Sequence, residues 1–152
     1  MALDIGDRAP TGQLDDDAGQ PSALGDYAGR KLVVFFYPKA MTPGCATEAC
    51  GFRDNYQQFG EAGYDIVGIS PDTPEVNAAF RQQDLLPFRL LSDVDHSIAD
   101  QFGAWGTKKN YGREYEGLIR STFAIDEDGL ITHAWRNVRA KGHVGRVVRE
   151  LL

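Results

Sequence analysis

The chain is short of sulfur, of positive charge and of long apolar runs. Only two of its 152 residues are cysteine, too few for a disulfide framework. A net charge of −6 leaves no broad basic face for phosphate backbones, which excludes nucleic acid and anionic membrane as expected partners. No apolar run approaches the ~20 residues that span a bilayer. The opening MALDIGDRAP lacks the charged start and apolar middle of an export signal. With so few cysteines, the expectation is a reducing, cytoplasmic setting, where a cysteine pair is catalytic or metal-binding more often than structural. No strand runs into a GxGxxG turn, and no CxxC is present. His96, His133 and His143 show none of the paired Cys/His spacings of a zinc site, so neither metal nor other cofactor is expected.

What is present suits one globular domain over residues 1–152. Hydrophobic residues make up 42% and charged residues 25%, enough for a substantial core without a second domain, linker or repeat. The chain is organised around LVVFFYPKAMTPGCATEACGFRD, Leu32 to Asp54. Leu32 to Tyr37 is a β-branched and aromatic run, the pattern of a strand buried on both faces, and Pro38 ends it. Thr42 suits a helix N-cap and Pro43 the first helical position, which puts Cys45 in the first turn of a helix running to Tyr56. Free N–H groups and the positive dipole end there favour an anion, here a thiolate. A small buried residue is the plainer reading of such a cysteine.

Cys50 lies five positions further on. In a regular helix that spacing separates Cα atoms by roughly 8–9 Å, whereas a disulfide wants them within about 7 Å. A static structural disulfide is therefore not expected, and a bond between the two would require the first turn to unwind.

The rest of the chain alternates strand and helix. Asp15 to Pro21 is a polar turn, predicting an N-terminal hairpin, and its three adjacent carboxylates read as a solvated turn rather than a metal site. Asp65–Ser70 reads as the next buried strand. A helix then starts at Thr73-Pro74-Glu75, with Val76, Ala79 and Phe80 on its apolar face. A short strand follows Pro87, and Ser92 to Asp95 caps a helix ending near Gly103. Residues 103–117, glycine-rich and aromatic without a period, are predicted to be a long loop. A hairpin turns at Asp128-Gly129, and Val144, Val147, Val148 and Leu151 mark a closing helix. Trp105 and Trp135 are expected to pack in loop or core. The class is α/β with parallel pairings.

Pro38-Lys-Ala-Met-Thr42-Pro43-Gly44-Cys45 contains the Pro-x-x-x-Thr-x-x-Cys pattern of the peroxiredoxins, and Glu48 to Asp54 resembles their bacterioferritin comigratory protein, or peroxiredoxin Q, subgroup. Leu90-Leu91-Ser92-Asp93, Gly103-Ala104-Trp105-Gly106, Tyr115-Glu116-Gly117 and Arg120-Ser121-Thr122-Phe123 carry the resemblance through nearly the whole chain; Val94 departs from the usual Pro. The resemblance implies a thioredoxin-like fold, a central mixed sheet flanked by helices. It implies a thiol peroxidase acting on hydrogen peroxide and organic hydroperoxides, with peroxidatic Cys45 and resolving Cys50 joined in an intramolecular disulfide that thioredoxin reduces. It implies Arg120 as the cation beside the sulfur, Thr42 as a hydroxyl for thiolate and peroxide, and Pro38 as a shield over the cysteine. By itself Arg120 reads as a surface ion-pair residue and Glu48 as a surface or capping-turn residue with a supporting role. A monomer is expected. Two other classes stand beside the enzyme: a slow redox sensor read by a partner, and an inert binding domain with two buried thiols.

Overall fold

Strand β3, Lys31–Phe36, carries buried side chains from Leu32 to Phe36, so both of its faces need cover. The computed structural model, which describes residues 3–152, supplies that cover with α-helices on both sides of a seven-stranded sheet, four against one face and a single short one against the other. The other strands of the sheet are β1 (Gln13–Asp16), β2 (Pro21–Ala23), β4 (Tyr64–Ser70), β5 (Arg89–Ser92), β8 (Ser121–Ile125) and β9 (Ile131–Trp135). Their order is β2-β1-β5-β4-β3-β8-β9. Pairs β3–β4 and β4–β5 are parallel, while β8 and β9 on one flank and β1 and β2 on the other pair antiparallel. The expected mixed sheet and N-terminal hairpin are both present.

Alternation along β3 divides the core. Val33 and Phe35, followed by Tyr37, face Phe52 of α1 (Pro43–Asp54), Phe59 of α2 (Tyr56–Glu61), Phe80 of α3 (Pro74–Gln83), and Val144 and Val147 of α5 (His143–Leu151). Leu32, Val34 and Phe36 face Ile98, Ala99 and Phe102 of α4 (Ser97–Phe102). A period of two along one strand thus builds two hydrophobic layers. Trp135 is buried in the first layer, its indole donating to the Glu150 carboxylate at 3.2 Å. No helix among the described residues is long and apolar enough to cross a membrane.

Three expectations need correction. Residues 103–117 are no loop: β6 (Trp105–Asn110) and β7 (Arg113–Leu118) form an antiparallel hairpin in register from Trp105↔Leu118 to Asn110↔Arg113. Its Tyr111-Gly112 turn has positive φ at both positions, as a two-residue hairpin requires. Arg113 to Glu116 are all exposed, so no alternation of polar and apolar residues betrays the strand. On α3 the buried residues are Asn77 and Phe80, while Val76 and Ala79 face solvent. Asn77 is hydrogen-bonded on the inside, and hydrophobic periodicity does not register a buried polar side chain. The helix read as continuous to Tyr56 breaks at Asn55, whose side-chain amide donates to the Gly51 carbonyl at 2.8 Å. At the start of α4, Asp93 does cap, accepting from the N–H groups of Ile98 and Ala99 at 3.2 and 2.8 Å.

Candidate active site

Cys45 sits in the first turn of α1, with Thr42 at the N-cap and Pro43 in the first turn, and it is fully buried. The Thr42 hydroxyl does not cap: it donates to the Lys39 carbonyl at 2.8 Å, satisfied within the tight turn that precedes the helix. Among the described residues no other side chain takes its place, so the first N–H groups of α1 stay free to meet a substrate oxygen. With its proton committed to Lys39, the Thr42 oxygen keeps lone pairs for an incoming O–H donor. Pro38, half-buried just past β3, opens the same turn.

Arg120 reaches the sulfur from the start of β8, the strand beside β3. Its Nη2 donates to Cys45 Sγ at 3.3 Å and its Nη1 to Glu48 Oε1 at 2.6 Å. Gly44 makes room, since a Cβ there would lie 3.3 Å from Nη2. The surface readings of both Arg120 and Glu48 fail: 14% of the Arg120 side chain and none of Glu48 is exposed. Their burial and mutual contact were not legible in the sequence, because burial of a charge depends on a partner 72 residues away. Burial works against the Arg120 charge, but the negative charges of Glu48 and Cys45 outweigh it and raise the guanidinium pKa. Burial pushes the Glu48 carboxyl up to about 7, although Arg120 pulls the other way.

Two further residues belong to the site. His143, at the start of α5, is buried with Nε2 2.7 Å from Thr122 Oγ1 and 3.8 Å from Glu48 Oε2. Burial, followed by the charges of Arg120 and Arg146, lowers its pKa to about 4, so the ring is neutral near neutral pH. In the sequence its one visible use was as a zinc ligand. Lys108 of β6 points back toward the site and donates to the Leu118 carbonyl at 2.9 Å. Burial and then Arg120 lower its pKa, against the pull of Cys45. It was obscured with the hairpin that carries it.

Cys50 stays apart. Both cysteines are free thiols, and α1 runs unbroken through them. Burial, then the charge of Asp84, raises the Cys50 pKa against the opposing Arg53, which keeps it a protonated thiol. The structure therefore brings Cys45, Arg120 and Glu48 into direct contact and places Thr42 and Pro38 on the adjoining turn. A cavity of about 150 Å³ between Arg8, Leu24, Tyr27, Leu32 and Ile125 shares no residue with this group.

Comparison with known proteins converges on one family. The model of the AhpC/TSA family matches residues 5–134. Peroxiredoxin Bcp of Bacillus subtilis is 46% identical over 151 residues, covering 99% of this chain and 96% of that one. Peroxiredoxin Bcp of Escherichia coli K12 is 46% identical over 141 residues, covering 93% and 90%. Among solved structures, the bacterioferritin comigratory protein of Xanthomonas campestris, described for its alkyl peroxide reduction activity, superposes with a TM-score of 0.89 at 34% identity, covering 97% of both chains. Xylella fastidiosa PrxQ superposes with a TM-score of 0.92 at 31% identity, covering 99% and 96%.

Proposed function

The chain belongs to the AhpC/TSA family as a peroxiredoxin of the Bcp/PrxQ kind, with the thiol peroxidase activity that membership implies, and from that premise we propose a two-cysteine cycle through Cys45 and Cys50. The observation that carries this reading is the Arg120 Nη2 donor 3.3 Å from a buried sulfur at a helix N-terminus. The thiolate of Cys45 attacks the terminal oxygen of ROOH. An S–O bond forms, the O–O bond breaks, and RO⁻ leaves with growing charge and takes up a proton as ROH. The reacting oxygens need alignment and the leaving one needs a cation. The Thr42 oxygen and the free N–H groups of α1 supply the first, and the Arg120 guanidinium supplies the second.

Cys45 is then a sulfenic acid. The Cys50 thiol condenses with it, releasing water and forming a disulfide, once the first turns of α1 open. An external dithiol, for which thioredoxin is the expected partner, returns both thiols. The alkyl peroxide activity described for the Xanthomonas protein supports organic hydroperoxides as substrates beside hydrogen peroxide. The working form is proposed to be a cytoplasmic monomer. The test is intact mass and thiol count after one equivalent of hydrogen peroxide. Rapid loss of both thiols, with a mass lower by two hydrogens, is expected. Gain of oxygen on one cysteine with Cys50 still free would remove the resolving role, and a chain inert to peroxide would refute the reading.

A further inference from the structure

The turn that carries Thr42 into α1 has an unusual backbone. Met41 has φ +66°, a left-handed conformation that costs a residue with a Cβ, and the residue is 39% exposed, so its own burial does not compensate. Something must hold this turn from outside. Thr42 is tied back to Lys39, but that bond lies within the turn and moves with it. Among the described residues, the one bond from the turn's backbone to another part of the chain is made at Ala40, whose N–H donates to Asp72 Oδ2 at 2.7 Å.

Asp72 is itself braced. Ser70, fully buried at the end of β4, donates its hydroxyl to Asp72 Oδ2 at 3.0 Å and accepts from the Asp72 N–H at 3.2 Å. The same hydroxyl lies 3.2 Å from Asn77 Oδ1, which accepts from the Tyr37 phenol at 2.6 Å. The Asn77 amide in turn donates to Ser92 Oγ at 3.1 Å. Tyr37, Ser70 and Ser92 stand at the ends of β3, β4 and β5, so the carboxylate is anchored to three parallel strands and to α3. A buried, mutually satisfied polar network of this kind is stiff.

We propose that Asp72 is a positioning residue for peroxide reduction, its carboxylate pinning Ala40 so that the strained turn presents Thr42 and the first turn of α1 in line for the O–O bond. The proposal rests on the thiol peroxidase reading and adds a residue that touches neither sulfur nor substrate. It also gives the opening of α1 a fixed end: residues after Ala40 unwind while Ala40 stays bound to the sheet.

The test compares Asp72→Ala, Asp72→Asn and Ser70→Ala with the unaltered chain, all confirmed folded by circular dichroism. Asp72→Ala is expected to lower the second-order rate with hydrogen peroxide by ~10–100-fold, the cost of misplacing reacting groups by about 1 Å. The rate at which iodoacetamide alkylates Cys45 is expected not to fall, because alkylation needs the thiolate but not the aligned turn. Asp72→Asn keeps an oxygen for Ala40 and recovers most of the peroxide rate, while Ser70→Ala shows a smaller loss in the same direction. An undiminished peroxide rate in Asp72→Ala, a parallel fall in alkylation, or no recovery with Asn overturns the proposal. Amide exchange at Ala40 separates this idea from the enzyme reading. It is expected to quicken in Asp72→Ala, and unchanged exchange overturns the pin even in an active peroxidase. An unaltered chain that consumes no peroxide defeats the activity reading instead.

Discussion

Arg120 holds the sulfur with one nitrogen and Glu48 with another, so its place depends on both contacts. Arg120→Ala is expected to cut the rate of the first peroxide step by ~10²–10³-fold, the range for losing one donor to a developing oxyanion. Stopped-flow oxidation of Cys45 measures it, and a loss below about tenfold would remove Arg120 from the reacting atoms. Glu48 and His143 tie the same spot to pH with opposite signs. The folded Glu48 value of about 7 lies above its ordinary 4.5, so its contribution to stability is present below about 4.5 and lost as pH rises through 7. The folded His143 value of about 4 lies below its ordinary 6.5, so its contribution is present above about 6.5 and lost as pH falls through 4. The two trends oppose each other over the same range, so Glu48→Gln is expected to leave the His143 contribution unopposed and make melting temperature rise more steeply from about pH 4.5 to about pH 6.5 than in the unaltered chain. An unaltered slope in that variant would place the titration elsewhere.

At the scale of elements, the contact between α1 and α5 decides how the site is buried. Gly51 lies against α5: a Cβ there would stand 2.9 Å from Val144 Cγ2 and 3.0 Å from its Cβ. Neither is the end of a flexible chain, so α5 must shift, and His143 beside Glu48 shifts with it. Gly51→Ala is expected to destabilise the fold by ~1–3 kcal/mol despite alanine's better helix propensity, because overpacking outweighs the gain of about 1 kcal/mol. Chemical denaturation measures this, and a stabilised variant would show that α5 yields freely. The cysteine helix ends at Asn55, whose side-chain amide donates to the Gly51 carbonyl, and its regular geometry keeps residues 45 and 50 apart while it is intact.

For the whole molecule, the proposed cycle asks the fold to tolerate two states of one segment. Phe36, Phe102 and Phe123 belong to one layer of the core, whereas Cys45, Ala49 and Phe52 belong to the other. Oxidation to the disulfide is thus expected to reduce helical ellipticity and speed amide exchange across residues 42–52, leaving β3, β4 and β8 protected. Exchange mass spectrometry of the oxidised chain checks this, and protection retained through α1 would rule out unwinding as the route to the bond. The hairpin β6–β7 lies outside the main sheet, yet through Lys108 it brings a second positive charge near Arg120.

Local chemistry was legible in the residues alone. A β-branched, aromatic run specified the central strand, and Thr42, Pro43 and Cys45 specified a helix start with sulfur in its first turn. Both follow from interactions within a few residues, which order in the chain encodes directly. The hairpin at 105–118 escaped because its faces are solvated and carry no hydrophobic period. The burial of Asn77, Glu48 and His143 escaped because a polar side chain is buried only where partners from other elements satisfy it. Arg120 needed its family resemblance to be noticed at all, and its contact with Cys45 spans 75 residues. Tertiary structure alone decided which charges share a buried site and how the strained turn before Cys45 is held, since those depend on distances through space and on exclusion of water.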